Sequence, residues 1–426
     1  MKTTRFIKNN IKLIKIQKLI IVSLLIGFLA AFLGIALKKL TEHYEQIFFT
    51  QASLNPIFIF IFPVFGLTVI YFIRQYVFNK KVNKGINEVF ESTGSRTKNL
   101  PKSKIASHFI NGLLTVIFGG STGIEVSTVV ATATIGSVAQ QKHNFFKDHK
   151  TELISAGIAA GITALFSSPL AGLFFVYEVI SKKVSRTFFL TNSIAVAVAF
   201  GLVYLVDEKP LFSVGITSWH YYAIPYIILL GIISGINAVY LTKCVLFFKN
   251  NLTQVKSHYY KIIIGSVILS CSLFFFPQLY GEGYHAIKEI FANPNQTRLT
   301  ASLIVSLIGI LILKPIVTSA TLFSGGDGGV FAPSLFIGAF LGLFVALLLN
   351  VYFHADIIPL NFMVLGMAAS LSASIHAPFT AIFLICGLTN DYTLFFPIAI
   401  VSFVSKFIAE RIYPFSVYSY ATANVK

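Results

Sequence analysis

Uncharged, mainly apolar runs recur along this chain at residues 19–37, 54–73, 187–206, 221–242, 262–280, 299–313 and 360–389. Most approach the roughly 20 residues that carry a helix across a bilayer. In hydrocarbon an open strand would leave its backbone N–H and C=O groups unpaired, so the runs are expected to be spanning helices. A chain of this length has room for on the order of ten. Lys2, Arg5, Lys8, Lys12, Lys15 and Lys18 precede the first run without an acid, and Lys38 and Lys39 follow it. A secretory signal would have a shorter apolar core, roughly 7 to 15 residues, ending at a small-residue cleavage site. Residues 19–37 are therefore expected to be an uncleaved first span behind a cytoplasmic N-terminus. The most charged connection, residues 74–104 with eight basic and two acidic side chains, goes on the same side, because cytoplasmic loops carry the Lys and Arg excess.

Three further apolar segments, residues 119–138, 156–178 and 325–349, are broken by Gly and Pro. Such residues cost a soluble helix dearly, and inside a membrane irregular backbone is tolerated only where protein or a wet cavity surrounds it. These segments are the expected pathway, and they repeat. Gly119-Gly120-Ser121-Thr122-Gly123-Ile124 is followed by Ser168-Pro169-Leu170-Ala171-Gly172-Leu173-Phe174, and Gly325-Gly326-Asp327-Gly328-Gly329-Val330 by Ala377-Pro378-Phe379-Thr380-Ala381-Ile382-Phe383. Pro169 falls 46 residues after Gly123, and Pro378 falls 49 after Gly329. Duplication explains two signatures in the same order better than chance does, and matching broken segments in two halves point to a site at the repeat interface.

Composition removes alternatives. Of 426 residues, 55% are hydrophobic and 12% charged, against roughly 25% charged in soluble domains, and mean hydropathy is +0.78. Most soluble enzymes and any sizeable cytosolic module are excluded. The 33 basic residues against 16 acidic ones come with no stacking-aromatic or zinc motif, so no nucleic-acid partner is expected. Membrane lipid and small inorganic anions are the expected partners, the positive surplus helping to attract the latter. Cys244, Cys271 and Cys386 lie in apolar stretches without metal-ligand spacing and read as small core hydrophobes. Neither a metal nor a cofactor is expected.

The Gly clusters carry candidate chemistry. A Gly-rich turn opening a helix leaves its first N–H groups unpaired and places the positive end of the helix dipole there, which makes an anion site. Pro333 falls in the opening turn of the second such helix, where a missing N–H costs little. Taken singly, either cluster is as well explained by close helix packing. Thr122-Gly123-Ile124-Glu125 also fits a capping box, with the Thr hydroxyl capping the third helical N–H and the Glu reaching back. Capping is the stronger reading of Glu125; the alternative is a protonatable carboxyl one turn inside an anion pathway.

Val364-Leu365-Gly366-Met367-Ala368-Ala369, Ser374-Ile375-His376-Ala377-Pro378-Phe379-Thr380 and Leu388-Thr389-Asn390-Asp391-Tyr392 look like the late helices of the CLC chloride channels and proton-coupled chloride exchangers. Gly329-Val330-Phe331-Ala332-Pro333 matches that family's G-x-F-x-P anion motif, and residues 168–172, on to Glu178, resemble another recurrent block. The resemblance runs from about residue 19 to the C-terminus. It implies broken helices whose N-termini converge on chloride near the midplane, with backbone N–H groups from Gly329, Val330 and Phe331, an outer loop from Gly120, Thr122 and Gly123, and an inner hydroxyl from Tyr418. Tyr418 could instead be an interfacial belt tyrosine. The family's first motif, G-S-G-I-P, has only the distant counterpart Asn83-Lys84-Gly85-Ile86-Asn87. The alignment sets Lys84 where a serine usually meets the anion, and a loop lysine is the plain alternative.

The departures weigh more than the matches. The family's outer gating glutamate, in G-[KR]-E-G-P, is replaced by Thr122, and the inner proton-transfer glutamate of exchangers aligns with Val179, directly after the retained Glu178. Coupling needs a group that changes protonation inside the path, and Glu125 is the nearby acid that could supply it. The expectation is therefore an all-α, polytopic membrane protein with CLC-like inverted repeats of broken, tilted helices. Residues 1–18 form a basic cytoplasmic segment, 19–245 the first repeat and 246–426 the second, and the chain ends at Lys426 without appended cytosolic regulatory domains. Passive chloride conduction leads over proton-coupled exchange through Glu125. The resemblance adds a homodimer in a bacterial plasma membrane. An intramembrane enzyme is the remote alternative: His376 stands next to Ala377-Pro378, but no H-E-x-x-H or G-x-S-x-G accompanies it.

Overall fold

Helices form along the apolar runs, and several of them stop where Pro, Gly or a left-handed residue ends the hydrogen-bond ladder. The computed structural model describes residues 2–80, 83–181, 185–212, 214–216, 218–251, 255, 257–292 and 299–420, with residues 2–13 described through their backbone alone. In chain order the helices are α1 (Lys2–Leu54), α2 (Ile57–Phe72), α3 (Asn87–Thr93), α4 (Ser103–Ile117), α5 (Glu125–Gln141), α6 (Asn144–Lys147), α7 (Lys150–Phe166), α8 (Pro169–Phe175) and α9 (Arg186–Leu205). They continue with α10 (Ile224–Asn251), α11 (His258–Phe275), α12 (Tyr284–Ala292), α13 (Ala301–Phe323), α14 (Phe331–Phe353), α15 (Pro359–Ile375), α16 (Pro378–Thr389) and α17 (Phe395–Ile412). Among the described residues there is no strand, and one isolated antiparallel bridge joins Gly123 to Gly329.

Seven helical stretches among the described residues are long and apolar enough to cross a bilayer, from Ile14–Leu54 to Phe331–Phe353, and Pro169–Ile180, Pro359–Ile375 and Pro378–Thr389 are shorter apolar helices. The protein is a multi-pass integral membrane protein. Wide apolar faces on the outer helices, including Phe32, Phe60, Phe65 and Phe200, are exposed and meet lipid, whereas α14 is buried along most of its length.

The structure moves several expected boundaries. α1 continues unbroken through Lys38 and Lys39 because both ammonium groups pair with Glu208 beyond α9, at 2.9 and 3.2 Å. Burial pushes the Glu208 carboxyl up, and the two lysines more than offset it, holding it below the usual range. The boundaries expected at 18/19 and 245/246 fall inside α1 and α10 respectively. The run 360–389 is two helices, because His376 is left-handed (φ +57) and Pro378 opens α16. A proline N–H is missing where the first turn has no partner for it. The first half repeats the device at Ser167 (φ +53) and Pro169. Cys386 is buried, but Cys271 is exposed on α11 rather than in the core.

α8 and α16, the second elements of the two repeated signatures, pack on each other. The Phe174 ring stacks on Phe379 and Phe383 at 5.3 and 5.0 Å, and the Ser168 hydroxyl donates to the Phe383 carbonyl at 2.8 Å. α14 crosses α15 at backbone contact: a Cβ on Gly338 or Gly366 would overlap the carbonyl oxygen of the other. Gly366→Val should therefore cost about 1–3 kcal/mol, seen as a lower midpoint of thermal unfolding in detergent. Gly201→Ala, at a position with nothing within 4 Å, should leave the midpoint unchanged or slightly raised.

Candidate anion site

The two Gly loops are built alike. α4 and α13 each end in a glycine with left-handed backbone, Gly119 (φ +84) and Gly325 (φ +100). The next N–H turns back into its own helix, Gly120 to the Thr115 carbonyl at 2.8 Å and Gly326 to the Thr321 carbonyl at 2.9 Å. The loops then exchange bonds: Ser121 N–H donates to the Thr321 hydroxyl at 3.1 Å, and Asp327 N–H to the Thr115 hydroxyl at 2.8 Å. Gly123 and Gly329 close the exchange, each N–H donating to the other's carbonyl at 3.3 and 3.1 Å. Thr115 and Thr321, Gly119 and Gly325, and Gly123 and Gly329 all stand the same 206 positions apart. α5 and α14 start two residues beyond this bridge with their N-termini side by side.

These bonds redistribute the expected donors. The N–H groups of Gly120, Thr122, Gly123 and Gly329 are spent on Thr115, Gly120, Gly329 and Gly123 carbonyls, so they hold the loops rather than face an anion. The amides left open by helix geometry are the first ones of α14, at Phe331 and its neighbours, and those of α5 from Glu125 to Ser127. Phe331 itself is fully buried, its ring stacked on Phe166 at 5.9 Å and edge-on to Phe175 at 5.8 Å, which fixes the turn that carries those amides.

The capping box does not form. The bridge holds Gly123 against Gly329 and delays α5 until Glu125, so Ile124 is the N-cap and no side chain caps it. Thr122 cannot reach the third helical N–H, and its hydroxyl has no partner. The Glu125 carboxyl instead accepts from the Tyr284 hydroxyl at 2.9 Å through Oε1, and Oε2 is unpartnered. The Tyr418 hydroxyl is a third buried group without a partner. The three lie together: Thr122 Oγ1 beside Gly328, Tyr418 Oη against Gly329, and Glu125 Oε2 beside Gly123. Two hydroxyls and a carboxylate oxygen thus meet at the Gly123–Gly329 bridge, where a small guest would find hydrogen-bond partners.

Lys84 does not join it. The Gly85 backbone comes close to Val126 in the first turn of α5, but the Lys84 ammonium turns outward to Glu91 at 3.3 Å. That hydrogen bond, with the charges of Lys84 and Lys98, holds the Glu91 carboxyl below the usual range. Its neighbour Asn83 points inward and donates to Asp327, which also contacts His108. Glu178 accepts from the N–H groups of Phe379 and Thr380 and from the Thr380 hydroxyl at 3.1, 2.7 and 2.6 Å, so it caps α16. Val179 beside it is apolar and packs against the core. His376 is the left-handed residue that ends α15. Among the described residues, no group of three His, Cys, Asp or Glu side chains could hold a metal.

Sequence reasoning passed over Tyr280-Gly281-Glu282-Gly283-Tyr284, which packs on the first Gly loop. The Ile124 N–H donates to Glu282 Oε1 at 2.9 Å, and Lys314 binds the carbonyls of Leu279 and Gly281 at 3.4 and 3.2 Å. Its signal was an acid set between two glycines directly after the uncharged run 262–280.

Paired broken helices whose N-termini meet inside a multi-pass bundle, around unpartnered hydroxyls, define a membrane protein for the passage of anions. The chain belongs to the voltage gated chloride channel family, whose model matches residues 65–410. The voltage-gated ClC-type chloride channel ClcB of Escherichia coli (strain SMS-3-5 / SECEC) is 27% identical over 319 residues, 73% of this chain and 74% of the relative. Among solved structures, a slow cyanobacterial Cl−/H+ antiporter superposes with a TM-score of 0.81 at 19% identity, covering 96% of this chain and 97% of that one. A CLC-type fluoride/proton antiporter gives 0.79 at 23% identity, with 95% and 97% covered. These two likenesses carry the fold.

Crystals soaked in bromide should show anomalous density between the Tyr418 hydroxyl and the Phe331 amide. Glu178→Ala should lower stability by about 1–2 kcal/mol, the cost of an uncapped helix N-terminus, and leave that density in place.

Proposed function

We propose that the protein conducts chloride or a similar small anion passively, along a path between the N-termini of α5 and α14. A desolvated anion would exchange its water for the open amides near Phe331 and the hydroxyls of Thr122 and Tyr418, in the field of two helix dipoles. The observation that carries the passive reading is the inner end of the path. Val179 has no proton to give, and the carboxylate of Glu178 is consumed by three bonds to the start of α16. The Escherichia coli relative, named a chloride channel, supports the same reading.

A second reading, proton-coupled exchange, is favoured by the place of Glu125, whose free carboxylate oxygen lies in the polar cluster. The two solved structures of similar fold described above are a Cl−/H+ and a fluoride/proton antiporter. We further propose a homodimer with one pathway per subunit, two repeats meeting at the Gly123–Gly329 bridge, and a bacterial plasma-membrane location with the N-terminus cytoplasmic. The basic residues before the first span support that orientation.

Reconstitution in liposomes with chloride efflux and proton movement recorded together separates the two readings. Chloride should leave without accompanying protons. Glu125→Gln keeps an acceptor for the Tyr284 hydroxyl and removes a negative charge from the path, so its chloride efflux should rise several-fold. Proton movement in the parent that vanishes in Glu125→Gln would establish exchange instead.

A further inference from the structure

The segment between α11 and α12 is shaped to deliver one carboxylate. Gly281 (φ +56) and Gly283 (φ +84) are both left-handed, and a Cβ at either would overlap Glu45 or Phe336. The segment is tied down around them. Tyr280 donates its hydroxyl to the Ile117 carbonyl at 2.7 Å, Ser121 donates to the Leu279 carbonyl at 3.0 Å, and Lys314 holds the carbonyls of Leu279 and Gly281. The Glu282 N–H donates to Glu45 Oε1 at 3.0 Å. Glu282, 3% exposed, is thus held with its side chain on the Ile124 N–H, at the mouth of α5.

Glu125, one residue beyond Ile124, faces Glu282, and its free oxygen lies in the cluster with the Thr122 and Tyr418 hydroxyls. An anion in that cluster sits in the same helix dipole that Glu282 uses. We propose that Glu282 is the acid gate of this pathway, its carboxylate competing with the permeating anion for the N-terminus of α5 and yielding when it takes up a proton. The inference rests on the anion path proposed above and places the gate on a different element from Thr122, where the family resemblance would set it.

The charges facing Glu282 give the sign. Glu125 of α5, Glu45 and Glu42 of α1, Lys314 of α13, and Tyr284 of its own segment surround it; Lys288 of α12 and Tyr280 face Glu45. Glu45, Glu125 and Glu282 are all buried, with one buried ammonium, Lys314, among them. An anion entering beside ionised Glu125 and Glu282 meets like charge where water screens poorly. A proton on Glu282 removes one of those charges and weakens its hold on Ile124, so acid opens the path.

Gating and mere capping part at Glu282→Gln. Glutamine keeps an acceptor for Ile124 but cannot titrate. Chloride efflux from liposomes is measured from alkaline to acidic pH for the parent, Glu282→Gln and Glu125→Gln, with proton movement recorded in parallel. The parent should speed up as pH falls, by up to about tenfold per pH unit for one titrating group. Glu282→Gln should be fast and flat, and Glu125→Gln should keep the parent's slope. A parent without pH dependence, or a folded Glu282→Gln with the parent's slope, overturns the gate. So does a slope lost in Glu125→Gln but kept in Glu282→Gln. If Glu282→Gln does not fold, Glu282→Asp withdraws the carboxylate from Ile124 and must raise efflux at the alkaline end of the range; unchanged efflux there also overturns the proposal. Protons accompanying chloride in the parent would end the passive reading alone, since the gate is judged on slopes.

Discussion

A peptide group inside a bilayer has no water to fall back on, and the architecture follows from that. A pathway for an anion needs open N–H groups, and open N–H groups need helices that stop in the middle of the membrane. Stopping a helix exposes several groups at once. The chain resolves this by pairing its two broken regions, so that each loop satisfies the other: Ser121 on Thr321, Asp327 on Thr115, and Gly123 on Gly329. At this junction the first turns of α14 and α5 are left with open amides, beside the unpartnered polar atoms of Thr122, Glu125 and Tyr418. The site is what is left over once the loops have met every other demand.

The sequence made much of this legible. Uncharged runs of near-spanning length located the helices, and the repeat of Gly loop and Pro-opened helix picked out elements that pack on each other. A break at His376 was harder to see, because Ala377-Pro378 sits inside an otherwise uninterrupted apolar stretch. The direction of side chains was beyond sequence spacing. Thr122 and Glu125 have the spacing of a capping box, but the register of α5 is set by a residue 206 positions away, and that shift of start turns Glu125 toward Tyr284. Lys84 likewise sits on a loop that reaches the site, yet Glu91 draws its side chain outward. A pairing 206 residues away decided the first and a partner seven residues on decided the second; neither belongs to the short motif in which the residue was read.

Buried charge follows the same economy. The inner acid, Glu178, is occupied by the start of α16, while Glu125 and Glu282 stand at the start of α5. Carboxylates near a helix N-terminus are stabilised by its dipole, so both placements serve the fold. They differ in what surrounds them. Glu178 has each oxygen bonded, whereas Glu125 keeps one free among other unpartnered groups.

The reciprocal threonine bonds also order events during synthesis. Neither loop can complete its hydrogen bonds until the other exists, and the second ends 206 residues after the first. While the ribosome is still making α6 to α13, the start of α5 has no Gly329 to pair with, and the partners of Ser121 and Thr115 have not arrived. Until then the polar groups of the first loop must find other partners. The contacts that join the two loops form only once α14 has emerged. Contacts of such long sequence separation fold slowly, and membrane chaperones that shelter half-made bundles would act on this chain through that interval.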